Sequence, residues 1–255
     1  MRAPLIALLS LTIWISSLAV PVMAAAQFVV IASNTNNNQI PAGKAFASDQ
    51  TLSLVAGESV TLISQNGQVI HLQGPYSGAI KTEPTNDETQ APAKDWPATL
   101  NKITKLVTKE SNRTAVIGAS RVIVPGSTNA PDMRDDYWFM NVDSSGDRCV
   151  RSKDVVMWRD NPDQTIKIDL RSQKAKRTGL KWEKSKYQMK LPSQFIEDGI
   201  LIVMKIDKQP RRFNLHVLPI WIKEKQLGNV LLWMVNRNCT RQSQRLINTL
   251  QSANQ

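Results

Sequence analysis

Residues 167–190 gather cations densely: Lys167, Arg171, Lys174, Lys176, Arg177, Lys181, Lys184, Lys186 and Lys190 stand against only Asp169 and Glu183. Trp182 and Tyr187 are interleaved among them. Ammonium and guanidinium groups next to aromatic rings can hold a polyanion, the cations pairing with its charges and the rings stacking on its bases or sugars. The candidate binding residues are therefore Arg171, Lys174, Lys176, Arg177, Lys181, Trp182, Lys184 and Lys186. A solvated hairpin tip with both rings turned inward would carry the same pattern, and the residue types alone leave both readings open.

Other constellations carry less chemistry. There is no G-x-S-x-G elbow, no G-x-x-x-x-G-K-[ST] loop, no H-E-x-x-H and no C-x-x-C, so the common nucleophile, phosphate and zinc motifs are absent. Asp132, Asp135, Asp136, Asp143 and Asp147 cluster, and Asp143-Ser144-Ser145-Gly146-Asp147 has some of the oxygens of a calcium loop. It lacks the alternating ligand frame and the late bidentate Glu that calcium needs, so a solvated turn is expected. His71 and His216 fall in strand-like patterns and are expected to be packed residues rather than ligands. No metal, cofactor or catalytic residue is expected. An enzyme using carboxylates far apart in sequence, such as a hydrolase of envelope polymers, stays open as an alternative.

The compartment follows from the ends and the cysteines. Residues 1–26 read as a signal peptide: Arg2, an apolar run, then Ala24-Ala25-Ala26 before Gln27. An exported chain meets oxidising conditions, so Cys149 and Cys239 are expected to form a disulfide. No cysteine near the cleavage site could take a lipid, and later apolar runs are too short to span a bilayer. A periplasmic or secreted bacterial protein is expected. The charge is uneven: residues 27–100 hold three Lys against six Asp or Glu, whereas residues 101–255 hold 28 Lys or Arg against 15. This asymmetry places a boundary between two parts near residues 80–95.

The elements that must position these residues are mainly β. Two apolar-polar runs flank Asn66-Gly67 and end at Gly74-Pro75. Asn-Gly predicts a two-residue type I′ hairpin, which pairs Ser64 with Val69, Ile63 with Ile70 and Leu62 with His71. Leu52 and Leu54 suggest a further strand before the turn at Ala56-Gly57. Gly57, Val60, Leu62, Gly67, Val69, Leu72, Gly74 and Pro75 together resemble the periplasmic FecR-like β modules of bacterial envelope proteins. The resemblance covers residues 50–80 and implies a sensing or binding module without catalysis; turn and core positions carry it, so it transfers no site residue.

Downstream, residues 81–95 read as a linker. Asp95, Pro97 and the stripe Leu100, Ile103, Leu106 and Val107 predict a helix over 96–111. Strand-like runs over 137–218 predict an Ig-like or fibronectin-like sandwich of six or seven strands in residues 135–222. Stripes at Leu227, Val230, Leu231 and Met234, and at Leu246, Ile247 and Leu250, predict a C-terminal helix pair over 223–255 with Cys239 at its bend. The expected organisation is a signal peptide (1–26), a FecR-like module (27–80), a linker with one helix (81–134), the sandwich and the helix pair. The expected function is non-enzymatic binding or scaffolding at the envelope, with a protein, an anionic glycan or a lipid headgroup as partner and nucleic acid disfavoured by export. A sensing module that acts on a membrane partner is the second reading.

Overall fold

A computed structural model describes residues 27–36, 39–82, 95–116, 136–206 and 209–252. The expected signal peptide, most of the expected linker, Asp132 and Asp135 lie outside the described residues. The described chain is mainly β, with one central helix and a C-terminal pair.

The first unit has six strands: β1 (Phe28–Asn34), β2 (Ala45–Phe46), β3 (Thr51–Leu54), β4 (Ser59–Ser64), β5 (Val69–Gln73) and β6 (Tyr76–Ala79). Four of them make one sheet in the order β2-β1-β4-β5, and β3 pairs with β6. The inner strands β1 and β4 are apolar on both faces, as strands covered on two sides must be. Phe28, Val30, Val60 and Leu62 turn toward the β3–β6 ribbon and share a core with Leu52, Leu54 and Ile80. Val29, Ile31 and Ile63 turn the other way, toward the helices.

The hairpin forms, but with a different turn. Ile63 pairs with Val69, Leu62 with Ile70 and Thr61 with His71, one residue away from the expected register. Only Gly67 has a positive φ, +79°, and Asn66 does not. A type I′ turn needs both. Gly67 N–H instead donates to Ser64 O and Ser64 N–H to Gln68 O, which makes a three-residue loop with glycine in the left-handed position. The slip exchanges the faces of β5: Ile70 and Leu72 lie with Val60 and Leu62 and pack on the ribbon side.

Three helices cover the second face: α1 (Trp96–Val116), α2 (Leu227–Asn236) and α3 (Thr240–Ser252). Asp95 caps α1, its Oδ1 accepting from Ala98 N–H at 3.4 Å. The helix runs past residue 111, its expected end. Its buried Ile103 and Val107, with Leu246, Ile247 and Leu250 of α3 and most of α2, share one core with Val29, Ile31 and Ile63. The C-terminal pair thus covers the first sheet, and it also reaches the second unit at Cys149.

Between α1 and α2 the chain builds the second unit: β7 (Met140–Asn141), β8 (Gly146–Val150), β9 (Val156–Trp158), β10 (Ile166–Arg171), β11 (Lys176–Trp182), β12 (Gln188–Lys190), β13 (Leu201–Ile206) and β14 (Gln209–Val217). They form two sheets, β11-β10-β13-β14-β8 and β12-β9-β7, with one core that includes Met157, Ile168, Trp182, Phe195, Ile202, Met204 and Phe213. Eight strands appear where six or seven were expected, because the runs 150–159 and 181–190 each break around a turn. The β14–β8 and β7–β9 pairs are parallel, which the periodicity could not reveal.

Cys149 on β8 and Cys239, between α2 and α3, form a disulfide that spans a separation of 90 residues. Gln242 of α3 reinforces the junction: its Oε1 accepts from Cys149 N–H at 2.8 Å and its Nε2 donates to Cys149 O at 2.6 Å. The first hairpin and α2 also meet closely, since a Cβ on Gly228 would stand 2.0 Å from Gly67 O.

Candidate polyanion-binding face

Strand alternation decides which cations share a surface. Along β10, Ile168 and Leu170 are buried, so Lys167, Asp169 and Arg171 point outward. Along β13, Ile202, Met204 and Ile206 are buried, so Leu201, Val203 and Lys205 point outward. Along β14, Phe213 and Leu215 are buried, so Arg212 and Asn214 point outward. Arg171 pairs with Lys176 on one side and Val203 on the other, and Val203 pairs with Arg212. Lys176, Arg171 and Arg212 therefore lie in one row across four strands, about 14 Å from end to end at the usual strand spacing.

A bulge completes the face. Lys176 and Lys181 are five residues apart, and in an unbroken strand they would point to opposite sides. The register shifts opposite Asp169, where Thr178 and Gly179 are both accommodated. Gly179 has a φ of +68°, and its N–H donates to Asp169 Oδ1 at 2.7 Å. The extra residue returns Lys181 to the outer side, opposite Lys167. Six cations, Lys167, Arg171, Lys176, Lys181, Lys205 and Arg212, thus share one sheet face. Two acids share the face: Asp169 is engaged by Gly179, and Asp147, opposite Asn214, accepts from its side chain.

Three of the residues singled out by sequence, Arg171, Lys176 and Lys181, lie on this face. Lys174 sits in the β10–β11 turn and is ion-paired with Glu197 at 2.6 Å. Arg177 is opposite Leu170, on the exposed edge strand. Lys184 and Lys186 lie in the turn after β11. Lys181 also pairs with Glu183 at 2.9 Å, and the hydrogen bond from Lys181 holds the exposed Glu183 carboxyl below its ordinary range. The rings are elsewhere. Trp182 is 1% exposed, its indole donates to Lys186 O at 2.9 Å and the buried Arg159 guanidinium covers it. Tyr187 stacks on Trp158. The cations are therefore presented without the interleaved rings. Lys167, Lys205 and Arg212 were missed as site residues. The strand parity of Lys205 and Arg212 was readable in the sequence, but the neighbour relation of β10, β13 and β14 was not.

A second polar cluster lies in the other part of the sandwich. Asp143 and Asp160 share a donor: Asn141 Nδ2 donates to both, at 3.0 and 3.4 Å. Asp160 N–H donates to Asp143 Oδ2, Trp158 Nε1 to Asp160 Oδ1, and Arg211 approaches Asp143 Oδ1 at 3.7 Å. The buried Arg148 donates to Asn141 O, Ser144 O and Asp147 O. Burial, with Arg241 as a nearby cation, lowers it to about 10, where it still carries charge at neutral pH. These bonds fasten the loop after β7 to the end of β9. Asp147 pairs with His216 at 3.0 Å, Asp136 Oδ1 accepts from Trp138 N–H, and His71 Nδ1 lies 3.3 Å from Thr61 Oγ1. Among the described residues no group of three or more His, Cys, Asp or Glu is placed to hold a metal.

Burial, and then the nearby Asp160 carboxyl, raise the pKa of Asp143 above its ordinary 3.8. The folded state therefore binds that proton more tightly than the unfolded one, and stability falls as pH rises from the ordinary value through the raised one. Asp143→Asn removes the titration. Its stability in urea melts from pH 4 to pH 7 is expected to fall less with rising pH than that of the wild type. An unchanged slope would assign the titration to another group.

The chain matches no family model, no curated protein and no solved structure.

Proposed function

We propose that this protein is a non-enzymatic envelope protein whose second unit holds an anionic polymer, such as an acidic glycan, against the outer face of β10, β11, β13 and β14. The observation that carries this reading is the in-register row Lys176–Arg171–Val203–Arg212, flanked by Lys167, Lys181 and Lys205. Flat spacing of cations across several strands suits a repeating line of charges better than a single small anion. Lost rings argue for charge pairing rather than stacking, and so against single-stranded nucleic acid. Export is part of the proposal: the disulfide needs oxidising surroundings to form, and no helix among the described residues is long and apolar enough to cross a membrane. The FecR-like resemblance of the first unit supports the same envelope setting.

The test compares two variants on immobilised heparin, used as a model acidic glycan. One changes Arg171, Lys176, Lys205 and Arg212 to Ser; the other changes Lys174, Arg177, Lys184 and Lys186 to Ser. Both remove four charges. The face variant is expected to lose about tenfold or more in affinity at low salt and to show a shallower salt dependence, because fewer counterions are displaced. The turn variant should bind nearly as the wild type does. Equal losses in both would reduce the effect to net charge and overturn the assignment to this face.

A further inference from the structure

The segment that joins β14 to α2 reverses the usual burial pattern. Pro219 to Ile222 is a hydrogen-bonded turn, closed by Ile222 N–H to Pro219 O at 3.0 Å. Its two central residues are Ile220 and Trp221, where turns normally carry Gly, Asn, Asp or Pro. Ile220 is 100% exposed and Trp221 58% exposed. They are not loose. Leu218 N–H donates to Val150 O at 2.8 Å just before the turn, and Ile222 is buried in the core shared with the helices. A second turn follows at once, closed by Gln226 N–H to Lys223 O. The two apolar side chains are thus held outward by a turn anchored at both ends.

The charges around this turn are cationic. Lys223 and Lys225 are exposed. The one acid of the segment, Glu224, is met by Arg151 at 3.7 Å, and Arg151 also lies over the Trp138 ring. A tryptophan with an adjacent aliphatic side chain, rimmed by lysines, is the arrangement that enters the headgroup boundary of an anionic bilayer: the indole prefers the interface, and the lysines reach lipid phosphates while their stems lie along apolar surface. A protein groove would not require the lysine rim. No helix among the described residues spans a membrane, so such contact would be peripheral.

We propose that the Pro219–Gln226 loop is a membrane-interface anchor that inserts Ile220 and Trp221 into anionic lipid. This site is separate from the cationic sheet face: the row through Arg212 meets β14 near its start, and the loop follows its end. A polymer held on that face and a bilayer met by this loop would be engaged at different places on the second unit.

The experiment uses the chain from Gln27 onward. Every residue of the three cores lies at Phe28 or later, so this chain carries the whole described fold, without the apolar leader. Co-sedimentation is measured with vesicles of phosphatidylcholine containing about 30% phosphatidylglycerol, for wild type, for Ile220→Ser with Trp221→Ser, and for the sheet-face variant described above. Tryptophan emission is followed in parallel with acyl chains brominated near the headgroup. The loop variant is expected to bind about tenfold or more weakly. Brominated lipid should quench emission of the wild type and of the sheet-face variant, but not of the loop variant. If the loop variant binds as wild type does, or if bromine does not quench the wild type, the anchor is overturned. A sheet-face variant that loses heparin binding but is still quenched keeps the two sites distinct.

Discussion

Replacing both Cys149 and Cys239 with Ala is expected to lower stability by about 4–5 kcal/mol, the largest effect of any pair of substitutions considered for this protein. The size comes from the loop. The bridge joins residues 90 apart, and opening it releases the unfolded chain from a long closed ring. The folded state should change little. Gln242 still hydrogen-bonds to both backbone groups of residue 149, and α3 still buries Leu246, Ile247 and Leu250 against β1 and α1. The variant should therefore keep its circular dichroism, melt about 10–15 °C lower, and show a larger m-value because its unfolded state is more open. A loss under about 1 kcal/mol would mean that the unfolded chain is already compact around these two residues.

Gly228→Ala is the second large effect. In an exposed helix the change would gain about 1 kcal/mol from propensity. Here the added Cβ would lie 2.0 Å from Gly67 O and 2.9 Å from Gly67 C. The obstacle is backbone, so no side-chain rotation relieves it. Either α2 moves off the hairpin or the hairpin loop opens, and the loop is already fixed by Gly67 in the left-handed region. A net loss of about 2–3 kcal/mol is expected, seen as a melting temperature lower by about 5–10 °C. Unchanged or raised stability would show that this junction is soft.

The two junctions explain why part of the fold was legible and part was not. Element types came through wherever the period was strong: the β4–β5 hairpin, the stripe of α1, the Ile166/Ile168/Leu170 and Phe213/Leu215/Val217 alternations, and both C-terminal helices. Their partners did not. Nothing in the spacing of Leu227 to Leu250 says that these residues cover Val29 and Ile63, because an apolar stripe specifies that it is buried and not against what. The hairpin register failed for a local reason: the Asn-Gly pair was assigned two positive φ values, and the chain needs only one. The cationic face was half visible. Arg171, Lys176 and Lys181 were named as candidates, but the bulge at Thr178-Gly179 and the β10-β13-β14 adjacency that bring in Lys205 and Arg212 are facts of topology. The side of Trp182 was left open, because a ring among cations reads the same whether it faces solvent or, as here, lies under Arg159.

The shared core of the first sheet and the last two helices also sets an order of events. Gln251 donates to Ile31 O across 220 residues, and Val29, Ile31 and Ile63 receive their cover from α2 and α3. A chain threaded through a membrane from its amino end would deliver that apolar face first and its lid last. The sandwich, built only from residues between them, can close on its own in the interval. β1 and β4 would then wait, half covered by α1, until α2 and α3 arrive. A truncation that trims α3 should therefore do more than shorten the protein: it would strand the first sheet with a greasy side exposed, a target for holdase chaperones and for proteases.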